Sequence, residues 1–160
     1  NDSFAATLSS FGTMFSPDPD NTAEEMVRVT LPGGVIGIAS WTSDGLIGKL
    51  YGAVGSAAGE ETDPTDWGNR DQISKWFGSY AGEMLTATRT VKLRGPSPEK
   101  FVDYLSATLG PLARVLLTLD PEAQSALRAK ILDICTGLNK ADDGTFSAPA
   151  EYLEVVVRLR

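Results

Sequence analysis

The chain has 160 residues, 42% hydrophobic and 22% charged, ordinary proportions for a globular domain with a real core. A net charge of −7 argues against a nucleic-acid partner and an anionic membrane surface, both of which call for basic residues. With no histidine and a single cysteine, Cys135, a Ser-His-Asp triad and an intramolecular disulfide are excluded, and the commonest zinc ligand is missing. No apolar run approaches the ~18 residues of a membrane span, and no basic, apolar leader is visible, so a cytoplasmic location without membrane contact is expected. The first residue is Asn1, almost directly before a strand, so a fragment of a longer chain is expected.

Phe4–Ser10 is small and apolar, short enough to be a buried strand. Thr22-Ala-Glu-Glu25 reads as a capping box opening a helix to Val29, with Met26 and Val29 on one face. Pro32 cannot continue that helix, and Gly33-Gly34 supplies a turn before a strand over Val35–Ser40. Strand, helix and strand make a βαβ unit with parallel pairing. Thr42-Ser43-Asp44 can cap a helix to about Val54, with Leu46, Ile47, Leu50, Tyr51 and Val54 inward, despite several glycines. Residues 57–66 read as a surface loop. Asn69 or Asp71 opens a short helix through Ile73, Trp76 and Phe77, ended by Gly78.

Met84–Leu93 alternates apolar with polar residues and predicts a half-exposed strand. Ser97-Pro98-Glu99 starts a helix with Phe101, Tyr104, Leu105 and Thr108 on its inner face. Gly110-Pro111 breaks it before a second helix over Leu112–Leu119. Asp120-Pro121-Glu122 starts a third helix, with Leu127, Ile131, Ile134, Cys135 and Leu138 as its stripe, which makes Cys135 a buried structural thiol. Asp142-Asp143-Gly144 is a turn whose spacing does not fit a calcium loop. Tyr152–Leu159 is the last strand.

One series of pieces carries a resemblance. Ser3-Phe4 enters a strand; Ser10-Phe11-Gly12-Thr13-Met14-Phe15 leaves it; Pro17-Asp18 precedes an acidic helix. Arg28-Val29, Pro32-Gly33-Gly34 and Trp41-Thr42 then frame the second strand. At this spacing the series resembles the fourth and fifth strands of class I S-adenosylmethionine-dependent methyltransferases, in the small-molecule branch related to ubiquinone and menaquinone biosynthesis. Asn139-x-Ala-Asp-Asp-Gly-Thr145 and Pro149-x-Glu-Tyr-Leu-Glu-Val155 resemble that branch's ending. Ala5 departs from the pattern, where the family usually has an aspartate.

The resemblance implies an α/β fold: a partial Rossmann-like methyltransferase sheet, fourth to seventh strands, with a helical substrate cap at 97–140. The last strand would lie between the second and third. Residues 1–160 would be the carboxyl-terminal half of the domain. The glycine-rich turn and ribose-gripping acid of the first strands have no counterpart before Phe4. The family's methionine end of S-adenosyl-L-methionine would fall at Ser10, Phe11 and Gly12. Met14 and Phe15 would line the methyl channel, Trp41 stands at the carboxyl end of the fifth strand, the usual ligand side of open α/β sheets, as a substrate contact, and Trp67, Trp76 and Tyr104 could shape an apolar acceptor pocket. For each of these aromatic residues and Met14, ordinary core packing is the competing reading.

Two functions follow. The first is methyl transfer to a small-molecule acceptor, with this chain supplying the methyl channel and acceptor cap. No catalytic base stands out, and the chain alone should bind the cofactor weakly or not at all. The second is a truncated, non-enzymatic module that binds a partner or an apolar ligand. In either case a homodimer, or association with a missing amino-terminal half, is expected, to cover the open edge of Phe4–Ser10.

Overall fold

A computed structural model of the protein describes residues 1–59 and 64–160. The expected surface loop at 57–66 falls partly outside the described residues. Two compact units are formed. One comprises Asn1–Ser43, Pro64–Arg89 and Glu151–Arg160; the other comprises Asp44–Asp63 and Thr90–Ala150.

The four-stranded sheet has the order β1-β2-β4-β3, with β1 Phe4–Ser10, β2 Thr30–Trp41, β3 Ala81–Gly95 and β4 Phe146–Leu159. β1 pairs in parallel with β2, and β2 pairs antiparallel with β4. The parallel pair and the inserted last strand are as expected. β2 starts earlier than expected. Thr30 faces Phe4 and Val35 faces Ala6, so residues 31–34 bulge out of register. The Pro-Gly-Gly segment is therefore a bulge within the strand, not a turn before it. Gly33 has φ 74°, and a Cβ on Gly34 would lie 2.7 Å from the Leu31 oxygen.

Helix α1, Pro19–Val29, begins ahead of the expected Thr22. Asp18 caps it, accepting from the Asn21 amide at 3.0 Å. The capping box does not form. Thr22 Oγ1 donates to the Asp18 carbonyl at 2.8 Å, and Glu25 pairs with Arg28 at 2.7 Å. An acid followed by proline is the stronger start signal and wins here. Within the first unit, α1 packs on β1 and β2, and also on α3, Arg70–Phe77. Asn69 caps α3, accepting from the Asp71 and Gln72 amides.

Helix α2, Leu46–Ala58, has Gly45 as its N-cap and no side-chain cap, so the expected Thr42-Ser43-Asp44 cap is absent. Thr42 bonds Glu151 instead: its amide donates to the Glu151 carbonyl at 3.2 Å and its hydroxyl to the carboxylate at 3.0 Å. The expected inner face, Leu46, Ile47, Leu50, Tyr51 and Val54, is buried. Gly59, in the left-handed region at φ 70°, stops the helix.

In the second unit α5 Gly110–Thr118 and α6 Pro121–Leu138 pack on α2, and α4 Pro98–Thr108 packs on α5 and α6. Ser97 and Asp120 cap α4 and α6 as expected. The inner face of α4 differs. Phe101, Val102 and Leu105 are buried, while Tyr104 is 61% exposed. The Phe101 ring stacks on Phe146 at 4.2 Å, which sets the helix rotation and turns Tyr104 outward. Cys135 is fully buried, and burial pushes its thiol up to about 11, as a structural thiol requires. The Asp120 carboxylate holds the Ala123 amide at 2.8 Å. Asp120→Ala should cost about 1 kcal/mol, read as a lowered urea midpoint at unchanged slope.

Candidate functional site

In open α/β sheets, ligands gather at the carboxyl ends of the strands. Here β1 and β2 run parallel and end together at Ser10 and Trp41. β4 is antiparallel, so its residue Tyr152 lies opposite Trp41 at that same end.

Phe11 leaves β1 in the left-handed region, at φ 57°. That conformation is costly for a residue with a large side chain, on the order of 1–3 kcal/mol. Its amide donates to the Ala39 carbonyl at 2.8 Å, which ties the turn to β2. The turn places the Phe11 ring on Trp41, with centroids 4.1 Å apart and planes 21° apart. Tyr152 stands edge-on to both rings, at 5.5 Å and 6.2 Å. The three half-buried rings make an aromatic platform at the strand ends. Gly12 then leads into the 3-10 turn Thr13–Phe15, and the Thr13 amide is held by Ser9 Oγ at 3.1 Å.

A second 3-10 turn, Pro64–Gly68, packs on β2 and on the first turn. It buries Trp67, which contacts Trp76 at 4.3 Å. The Trp76 indole donates to Asp20 on α1. Among the described residues, three buried polar atoms in this unit have no hydrogen-bond partner: Thr13 Oγ1, Ser40 Oγ and Trp67 Nε1. They sit on the two turns and on β2, beside the strand ends.

Of the residues singled out in the sequence, Ser10 and Gly12 are exposed at the end of β1, and Phe11 and Trp41 form the platform. Phe15 is exposed, whereas Met14 and Trp67 are core residues, Trp67 only 1% exposed. Trp76 is half-buried against Trp67. Tyr104 belongs to the other unit, on the outer side of α4. Tyr152 was not singled out. Its position follows only from the register of β4 on β2, which local sequence does not encode. Among the described residues, no cluster of acids and cysteine could hold a metal ion.

The second unit carries a groove of about 280 Å³ between α2 and α6, lined by Ala53, Ala57, Leu119, Ala123, Leu127 and Lys130. Among the described residues, no helix is long and apolar enough to cross a membrane.

No protein-family model matches the chain. An uncharacterized protein of Mycobacterium tuberculosis is 30% identical over 140 residues, covering 82% of this chain and 51% of that protein. A second uncharacterized protein of the same organism is 29% identical over 116 residues, covering 69% of this chain and 42% of that protein. The chain thus spans about half the length of the curated relatives it matches. Among solved structures, a Bacillus halodurans C-125 protein assigned as a methyltransferase aligns over 98% of this chain and 64% of its own, with TM-score 0.53 and 11% identity. The YcgJ protein of Bacillus subtilis aligns over 99% and 65%, with TM-score 0.54 and 10% identity. At these identities the likeness shows the fold, which is methyltransferase-like and Rossmann-type.

Proposed function

We propose that this chain supplies the methyl-channel side of an S-adenosylmethionine-dependent methyltransferase acting on a small molecule. The observation that carries this reading is the Phe11–Trp41–Tyr152 platform, at the ligand-binding end of a methyltransferase-like sheet. When bound, S-adenosylmethionine would supply a methyl group activated on a positively charged sulfonium. Aromatic faces attract a cation, by about 0.5–2 kcal/mol depending on desolvation. The platform therefore fits the charged end of that cofactor. Ser10 and Gly12 bring exposed backbone to the same place.

In this reading Trp41 and Tyr152 would hold the charged end of the cofactor, and Phe11, strained into place, keeps Trp41 flat. The chain's own contribution would be positioning rather than acid–base work. The absence of histidine is consistent with that division of labour. The grip on the ribose and adenine is assigned to polypeptide outside these 160 residues. The chain alone should therefore bind the cofactor with a dissociation constant above roughly 10 μM, about −7 kcal/mol, by titration calorimetry. Tighter binding by the isolated chain would show that the cofactor is held wholly within it.

A second reading is a non-enzymatic module for an apolar ligand, and the groove between α2 and α6 favours it. Transfer of labelled methyl groups from S-adenosylmethionine to a panel of small amines, phenols and quinols, assayed on this chain together with the unmatched half of the Mycobacterium tuberculosis relative, separates the two. Label appearing in an acceptor supports methyl transfer. No label in any acceptor, with an apolar dye displaced from the groove by fatty acids, supports the module.

A further inference from the structure

The polar atoms left over in the first unit, Thr13 Oγ1, Ser40 Oγ and Trp67 Nε1, belong to residues only 8%, 0% and 1% exposed. Nearby polar groups of the unit are paired. Thr30 Oγ1, also buried, donates to the Met26 carbonyl at 2.7 Å and lies 2.7 Å from Thr7 Oγ1. The Thr13 backbone is satisfied: its amide donates to Ser9 Oγ at 3.1 Å and its carbonyl accepts from the Ser16 amide at 3.0 Å. The Trp76 indole, beside Trp67, donates to Asp20. A buried polar group without a partner is costly, and native folds keep few of them. Here the three elements that carry them meet. The turn Pro64–Gly68 packs both on β2 and on the turn Thr13–Phe15. Gly68, next to Trp67, lies so close to the Trp41 backbone, next to Ser40, that a Cβ has no room. Ser40 is on the buried face of β2, with Ile36 and Ile38.

We infer that Thr13 Oγ1, Ser40 Oγ and Trp67 Nε1 share one enclosed water at this junction. The donor inventory selects the occupant. An indole N–H only donates, whereas a hydroxyl donates once and also accepts. A water accepts from the indole and from one hydroxyl and donates to the other, so all three groups are satisfied by three of its bonds. An indole N–H cannot ligate a cation. An anion would call for a buried positive charge, and the buried polar residues among the described ones are Thr13, Thr30, Ser40 and Thr65, none of them charged. A neutral molecule fits, and the burial of all three atoms limits it to the size of a water. Ser40 directly precedes Trp41, and Thr13 follows Phe11 by two residues. Side chains alternate across a strand, so the water lies on the face of β2 opposite the Trp41 ring. It ties both 3-10 turns to the strand end that carries Trp41. The site rests on the packing of this unit and holds whether or not the completed protein transfers methyl groups.

The test combines urea unfolding with NMR of the indole protons, on the 160-residue chain as wild type, Thr13→Val, Ser40→Ala and the double variant. Each substitution removes a hydroxyl and nearly keeps the side-chain volume. With a shared water, each single variant should lower the urea midpoint at unchanged slope, because the groups that remain are short of a bond. The double variant should lower it by clearly less than the two single shifts together, since the same water is lost only once. The Trp67 indole proton should move upfield in both single variants, while that of Trp76, held by Asp20, stays in place. Trp41→Leu and Trp76→Phe assign the signals of the three tryptophans. Three results would overturn the inference. Midpoints that rise or do not move would mean hydroxyls that the fold leaves unbonded. Shifts that simply add in the double variant would give each hydroxyl a partner of its own. A Trp67 indole proton that ignores both substitutions would place it outside any common site.

Discussion

Gly68→Ala is expected to destabilise the first unit by at least ~3 kcal/mol, at the severe end for a single substitution. A Cβ at this position would lie 2.0 Å from the Trp41 oxygen, 2.6 Å from the Trp41 carbonyl carbon and 3.0 Å from the Thr42 Cα. All three are backbone atoms, so no flexible side chain can yield. Either the 3-10 turn Pro64–Gly68 lifts off β2, or the end of β2 gives way. The first exposes the buried Trp67, and the second breaks the Thr42–Glu151 bonds and moves Trp41 away from Phe11. Overpacking a core by one methyl costs about 1–3 kcal/mol where side chains can adjust, and more where they cannot. Urea unfolding followed by tryptophan fluorescence checks this. A loss under about 1 kcal/mol would mean that the turn and the strand end are not packed backbone to backbone.

Phe146→Ala should cost the second unit about 3–5 kcal/mol. Phe146 is 1% exposed and stacks on Phe101 with planes 22° apart, so its removal loses both burial and ring contact. The same stack fixes the rotation of α4. Phe146→Ala should therefore also free Tyr104 to change its surroundings, seen as a shift in its ring resonances. Phe146→Leu, which keeps most of the volume, should recover more than half of the stability. If leucine recovers none of it, the contribution lies in the aromatic geometry and not in burial.

What could be read from the sequence was what is local, together with what the resemblance brought. The bounds of β1, the caps at Asn69, Ser97 and Asp120, and the inner face of α2 follow from short patterns. The position of β4 between β2 and β3 came from the resemblance. Where two local signals overlap, the reading failed. Asp18-Pro19 and Thr22-x-x-Glu25 both open a helix, and only their competition in the folded chain decides for Asp18. The Pro-Gly-Gly bulge was hidden because register belongs to a strand pair, not to a strand. Tyr104 was misplaced because a distant residue, Phe146, sets how α4 turns.

The site divides in the same way. Phe11 and Trp41 were legible as aromatic residues at strand ends. Their stacking, the left-handed backbone of Phe11 and the third ring of Tyr152 arise only when β4 comes to lie beside β2. The unpartnered Thr13, Ser40 and Trp67 polar atoms were invisible for the same reason. Burial of a hydroxyl is a property of neighbours that the local sequence does not name.

The most direct test of the aromatic platform compares two ligands that differ in one charge. S-adenosylmethionine carries the sulfonium; S-adenosylhomocysteine has a neutral sulfur and lacks the methyl group. Their dissociation constants are measured by calorimetry on this chain, supplemented with the unmatched half of the Mycobacterium tuberculosis relative, as wild type and as Trp41→Leu. If Trp41 faces the sulfonium, the substitution should weaken S-adenosylmethionine about 2- to 30-fold and S-adenosylhomocysteine clearly less, the range set by a cation–π contact of about 0.5–2 kcal/mol. Equal loss for the two ligands, or no loss for either, would contradict a role for the platform at the charged end of the cofactor.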